Sequence, residues 1–345
     1  MQYLRILIVS ALLTPLVIYA TILTLIPLPI AAEYWVREMI TIKLDIAEKY
    51  SDRRKVVFAA GSSTLFGVSG SRMSEALCVP VINLGLHAGL PLEEILSVAD
   101  KAVRSGDILI LPLEVPKYAE LESISDGRIR DIIAWQPEVW KGFSLKKKFE
   151  SINVIGPMIV FELIKTKVLL LVNPQSLRRR LDALDNKAIL GRFNPNIEPS
   201  AFEYSAYHLS DHGDMKKNEG ILFRVGGGYS PEQDIVISNR VHDILLAFTK
   251  KMNHRGVMVY FANMPYLKGH EFNLDRVKQS SENFRHALSD IGPLIDNKQD
   301  LIFDRNLFFN TIYHLNSAGR KKNTGRLVKV VGRLLDDAQI MNCAH

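Results

Sequence analysis

Two cysteines are all the thiols in 345 residues, and Cys78 and Cys343 stand at no spacing that builds a metal or redox centre. One disulfide could join them outside the cytosol. Within Leu77-Cys-Val-Pro80, however, Cys78 reads as a core residue at a strand entry. Internal repeats, low-complexity segments and nucleic-acid motifs are all absent, so no nucleic acid partner is expected, and neither is a cofactor. The cluster Tyr207-His-Leu-Ser-Asp-His-Gly-Asp214 has metal-ligating side chains, but in a polar loop it reads as solvated turn chemistry. Charge of either sign is missing from Ile6 to Ile30, a run dominated by Leu, Ile, Val and Ala.

That uncharged run suffices to cross a hydrocarbon core of about 30 Å. A cleaved signal peptide is the rival reading, but its apolar region runs to only about 7–15 residues before a small-residue site. Here Pro27, Pro29 and Ile30 precede Ala31-Ala32. Arg5 lies before the run and Glu33, Arg37 and Glu38 after it. The positive-inside rule then leans toward a cytoplasmic N-terminus, with residues 1–34 as anchor in the lipid bilayer and the body outside the cytoplasm. Net charge is +6, with basic clusters at Lys146–Lys148, Arg178–Arg180 and Lys321-Lys322. Such a balance fits attraction to anionic lipid or polysaccharide, or simply scattered solvated charge.

Apolar runs rich in Val, Ile and Leu recur at Lys55–Ala60, Pro80–Leu84, Asp107–Leu111 and Gly256–Ala262, with a weaker one at Asp300–Phe303. They lack clean alternation, as parallel strands covered on both faces should. Pro91–Arg104 and Ala318–Asp337 carry apolar residues at helical spacing. Strands alternating with helices predict an α/β fold, a doubly wound and mostly parallel sheet over about residues 50–340. The pattern breaks between about 119 and 233, which reads as an insertion. Its stretch Val154–Val172 carries too many charges for a second span and suits a surface or cleft-capping helix.

Two short motifs set far apart carry the chemistry. Gly61-Ser62-Ser63 follows the first strand, and Tyr313-His314-Leu315-Asn316 precedes the basic C-terminal helix. A serine hydroxyl on a tight turn becomes a nucleophile when an imidazole takes its proton. The run Val57-Phe-Ala-Ala-Gly-Ser-Ser-Thr-Leu-Phe-Gly67 resembles the first block of the SGNH (GDSL-type) hydrolase superfamily. Asn83-Leu-Gly-Leu-His-Ala-Gly89 resembles its second block, and Phe308–Arg320 its last. The resemblance implies a flavodoxin-like SGNH fold with Ser63 as nucleophile and His314 as general base. The N–H groups of Ser63 and Gly85 would hold the oxyanion. It also implies kinship with membrane-anchored proteins that O-acetylate exopolysaccharides or help D-alanylate teichoic acids. The partner would then be an envelope polysaccharide or an acyl-donor membrane protein.

Two departures stand out. The third-block Gly-x-Asn is missing, and its place after the third strand reads Pro112-Leu-Glu-Val-Pro-Lys-Tyr118. Glu114 there reads as a structural residue or as one lining the site, and His87 as a cleft-wall residue. Asn310 stands where the family carries an aspartate, with Asp304 as the nearest acidic substitute. An asparagine can orient an imidazole but cannot stabilise imidazolium by charge. The sequence therefore supports two readings, an acyl-ester hydrolase or O-acyltransferase and a disabled scaffold. An unperturbed imidazole would set a rise in activity at about pH 6–7. Topology is testable directly: a reporter at Lys251 is expected outside the cytosol, and a cytosolic signal there would overturn the anchored, extracytoplasmic reading.

Overall fold

Four short apolar segments pair into one parallel sheet, β1 (Val56–Ala60), β2 (Val81–Gly85), β3 (Ile108–Leu111) and β4 (Met258–Phe261), in the order β2-β1-β3-β4. Val56 stands against Val81 on one side and Ile108 on the other, and Ile108 against Met258. The computed structural model describes residues 2–25, 31–119, 140, 142–155, 185–222, 229–269 and 271–337, with isolated positions between 165 and 182. Helices follow in chain order. They are α1 (Gln2–Leu25), α2 (Ala31–Glu48), α3 (Ser62–Gly67), α4 (Gly70–Leu77), α5 (Leu92–Ala102), α6 (Val115–Tyr118), α7 (Leu145–Ile155), α8 (Asn186–Arg192), α9 (Asn239–His254), α10 (Leu274–Ala287) and α11 (Ser317–Asp337).

Apart from Asn83 in β2, the strands are apolar because both faces are covered. Val56, Phe58, Ile108 and Ile110 pack under Met73 and Leu77 of α4 and Leu327, Val331 and Leu335 of α11. The alternate residues Val57, Ala59, Leu109 and Leu111 are just as buried on the opposite face, where α5 packs on β1 and α9 on β4. Helices on both faces of a parallel sheet make this an α/β fold consistent with double winding. Beyond β4, a parallel bridge from Phe261 to Leu294 continues the order. The weaker run at Asp300–Phe303 does hold a short strand, outside this sheet. Its strand β6 (Ile302–Phe303) pairs instead with β5 (Tyr266–Leu267) in a separate two-stranded sheet.

By its internal contacts the chain forms two units, residues 1–37 with 123–188 and residues 38–122 with 189–345. In the first, α1 is a 24-residue helix with Pro15 inside it. Among the described residues no helix is long and apolar enough to cross a membrane. Residues 26–30 of the expected span, and most of the expected helix at 154–172, lie outside the described residues.

The second unit holds the sheet. Cys78 departs from its expected core position. It ends α4 in a left-handed conformation (φ 52°), which turns it to the exposed surface, and it is disulfide-bonded. Cys343, the other cysteine of the sequence, lies outside the described residues. Lys43 of α2 is fully buried and donates to the carbonyls of Asn83 at 2.7 Å and Gly213 at 2.8 Å. Burial pushes its pKa down to about 7, against the opposing pull of Asp214.

At the opposite edge of the sheet from the serine, a buried ion pair ties the start of β1 to the start of β3. Lys55 Nζ lies 2.7 Å from Asp107 Oδ2, and both side chains are almost fully covered. The same carboxylate accepts the N–H groups of Lys55 and Arg104, so its acceptor sites are filled by a charge and two amides. Removing one partner of such a pair strands the other charge. Asp107→Ala is expected to lower unfolding free energy by about 3–5 kcal/mol in urea titrations, and the double change Lys55→Met with Asp107→Leu to recover most of it. A loss under about 1 kcal/mol would show the pair to be incidental.

Candidate functional site

In a sheet ordered β2-β1-β3-β4 the connections leave β1 and β3 in opposite directions, so a crevice opens between their C-terminal ends. The residues next after those ends are Gly61-Ser62-Ser63 and Pro112-Leu113-Glu114. Chain topology alone therefore brings Ser63 to Glu114. Ser63 sits in α3, which is too short to hold itself by its own turns. Asn83 at the centre of β2 holds it instead, donating through Nδ2 to the carbonyls of Thr64 at 3.1 Å and Val68 at 2.9 Å.

Gly85 makes the close approach possible, since a Cβ there would lie 2.1 Å from the Leu65 nitrogen. Its N–H, expected as an oxyanion donor, is given to Asn83 Oδ1 at 2.9 Å. The other expected donor is engaged as well. The Ser63 N–H donates to Glu114 Oε1 at 2.9 Å, the Ser63 hydroxyl to the same oxygen at 2.7 Å, and the Gly61 N–H to Oε2 at 3.1 Å. Ser63 is 2% and Glu114 3% exposed, so these bonds are shielded from water.

His314 arrives on a tight return of the chain. Phe308 bridges Leu315 in antiparallel fashion, the Phe309 N–H donates to the His314 carbonyl at 2.7 Å, and Thr311 Oγ1 accepts the N–H groups of Tyr313 and His314. The same loop carries Asn310, whose Oδ1 lies 2.7 Å from His314 Nδ1 while its Nδ2 donates to Tyr204 Oη at 2.8 Å. An amide oxygen is only an acceptor, so the contact fixes the proton on Nδ1 and leaves Nε2 as the basic nitrogen. Asp304, the acidic alternative, is exposed and pairs with Lys268 at 3.5 Å. The structure thus brings Asn310, not Asp304, to the imidazole.

Phe66 connects serine and histidine. It lies one helical turn after Ser63, and its ring stacks on His314 at 4.1 Å between centroids and 14° between planes. Phe202, Tyr204 and Phe309 extend the aromatic cluster around Phe66. Among the described residues no hydrogen bond joins Ser63 directly to His314. His87 is close enough for its charge to act on His314 and to be acted on by Lys117 and Glu114. A small cavity beside the serine is lined by Ser63, Thr64, Pro112, Asn263, Met264 and Arg326, among others. Thr64 Oγ1 and Asn263 Oδ1 in its wall are buried without a hydrogen-bond partner. One of the two aspartates of the polar loop has a structural post. Asp214 accepts the Gly70 N–H at 2.7 Å and the hydroxyls of Ser69 and Ser71, capping α4. Among the described residues no group of His, Cys, Asp or Glu side chains could hold a metal ion.

Glu114, Phe66 and Tyr204 are the site residues that motif reading did not assign. The only sequence signal for Glu114 was its place just after the third strand. Comparison with protein-family models, curated proteins and solved structures finds no match to this chain.

Burial, and then the charge of His87, push His314 from its ordinary 6.5 down to about 3. The expectation of a rise at pH 6–7 from this imidazole is thereby overturned, because His314 stays neutral across that range. The unfolded chain binds the proton first, so the associated stability is complete above about pH 6.5 and drains away as the pH falls toward 3. The His314 ring nitrogens, followed by ¹⁵N NMR, are expected to show the neutral Nδ1–H tautomer down to about pH 4. Titration near pH 6.5 would overturn both the burial argument and the Asn310 contact.

Proposed function

We propose that this domain performs serine-dependent acyl-ester chemistry, hydrolysis or O-acyl transfer, in the manner of an SGNH-like protein of the cell envelope. The observation that carries the reading is the imidazole of His314, oriented by Asn310 at 2.7 Å and joined through Phe66 to the helix of Ser63. Ser63 Oγ attacks the ester carbonyl as His314 Nε2 takes its proton. The proton then passes to the departing alcohol, and the acyl-serine is released to water or to an acceptor hydroxyl. The disulfide at Cys78 supports an oxidising compartment. The membrane anchor rests on the uncharged run of the sequence, and the cationic balance suits an anionic glycan or lipid-linked substrate.

A second reading, a scaffold that keeps the fold without turnover, is favoured by one observation. Glu114 occupies the hydroxyl and both nearby amides. Asn310 adds to it, because an amide in place of the orienting carboxylate costs about 10⁴ in rate in Ser-His-Asp enzymes. The readings separate on a small acetyl ester. Slow turnover by the natural chain is expected, lost in Ser63→Ala and raised about tenfold or more in Asn310→Asp, with little change between pH 5 and 8 from His314. Turnover that survives Ser63→Ala would remove the nucleophile assignment. Activity that appears only in Asn310→Asp would favour the scaffold.

A further inference from the structure

Glu114 is used by neither reading of the chemistry as a participant, yet it makes three hydrogen bonds to the serine turn. Its two carboxylate oxygens take the Ser63 hydroxyl at 2.7 Å, the Ser63 N–H at 2.9 Å and the Gly61 N–H at 3.1 Å. The sequence makes room for this approach at a single point. A Cβ on residue 61 would lie 2.6 Å from Glu114 Oε1 and 2.7 Å from Oε2, so only glycine admits the carboxylate.

Catalysis asks something else of the same atoms. The serine hydroxyl must give its proton to a neutral base and its oxygen to a carbonyl carbon, and nearby N–H groups must receive the negative charge that then develops on the carbonyl oxygen. With Glu114 in place the hydroxyl points at a carboxylate and the Gly61 and Ser63 amides are spent. The Gly85 amide is held by Asn83. Each missing donor costs roughly 10²–10³ in rate. The contacts suit a closed state better than a catalytic one.

We infer that Glu114 is an autoinhibitory latch on Ser63, and that the site opens when this carboxylate swings off the serine. The inference rests on the serine reading above. The charges of Glu114 and Lys117 both reach His87, and Lys117, one turn after Glu114 in the buried start of α6, gives its ammonium to the Leu90 carbonyl at 2.7 Å. An acyl group entering the crevice would take over the amides as the carboxylate leaves them, so substrate binding itself drives the opening.

The test measures how fast a fluorophosphonate probe labels Ser63 in the full chain and in three variants whose folding is checked by circular dichroism. Glu114→Gln keeps the shape and removes the charge, Glu114→Ala removes the side chain, and Glu114→Asp keeps the charge but is one methylene too short to reach the hydroxyl. All three are expected to label at least tenfold faster than the natural chain, and adding Ser63→Ala should abolish labelling in each. Should the obvious Ala variant fail to fold, the Gln and Asp variants carry the same expectation. Equal labelling rates would reduce Glu114 to a structural cap and overturn the latch. Slower labelling in the folded variants would overturn it too, making Glu114 the acceptor of the serine proton. If natural and folded variant chains alike never label, the serine reading fails first and the latch falls with it.

Discussion

Asn83 is the residue on which the geometry of this domain turns. The helix bearing Ser63 has six residues, fewer than a helix needs to persist by its own hydrogen bonds. The Asn83 side-chain amide, at the centre of β2, satisfies the carbonyls of Thr64 and Val68 and the N–H of Gly85, while the main-chain carbonyl of the same residue receives buried Lys43. Each of those groups, left unmade in the interior, would cost about 1–3 kcal/mol. The serine turn is thus fixed from below by the sheet and leaves its upper side to the crevice, where the loop of His314 and the end of β3 meet it.

How far the sequence led depended on the range of the interaction involved. Val56–Ala60 and Ile108–Leu111 were legible because two-sided burial leaves a continuous apolar run, a purely local signature. Asn310 and His314 were legible together because they stand only four positions apart in one tight loop. Glu114 was legible as a residue that could line the site, but its bonds to Ser63 and Gly61 were not, since those partners are fixed by β3 lying beside β1 after the chain has first built β2. No spacing along the sequence encodes that adjacency. Gly85 was read for its N–H, whereas its lack of a side chain is what the packing requires. The depressed basicity of His314 was invisible for a related reason: it comes from burial and then from the charge of His87, contributed by segments far apart in the chain. Tyr204 belongs to a long polar stretch without periodicity, so nothing local marked it as a neighbour of Asn310. Cys78 was misplaced by a few residues of boundary, as element ends are set by caps more than by propensity.

The site also shows a tension common to buried polar clusters. Around Ser63 nearly every donor has found an acceptor inside the protein, and such completeness stabilises one arrangement. A chemical site needs polar groups held ready and unspent. Here those are two acceptors, the basic nitrogen of His314 and the Asn263 amide oxygen, and one hydroxyl, that of Thr64 in the cavity wall. The rest of the cluster favours rigidity over reactivity.

Lys43 gives the buried amine of α2 a significance beyond its two carbonyl contacts. Between about pH 7, its value in the fold, and its ordinary 10.5, the unfolded chain keeps a proton that the folded chain has shed. His314 does the same between about 3 and 6.5. The two windows lie end to end, so through these two bases folding expels protons over most of the accessible range. The contribution of these two bases to folding therefore grows as the pH rises through each window.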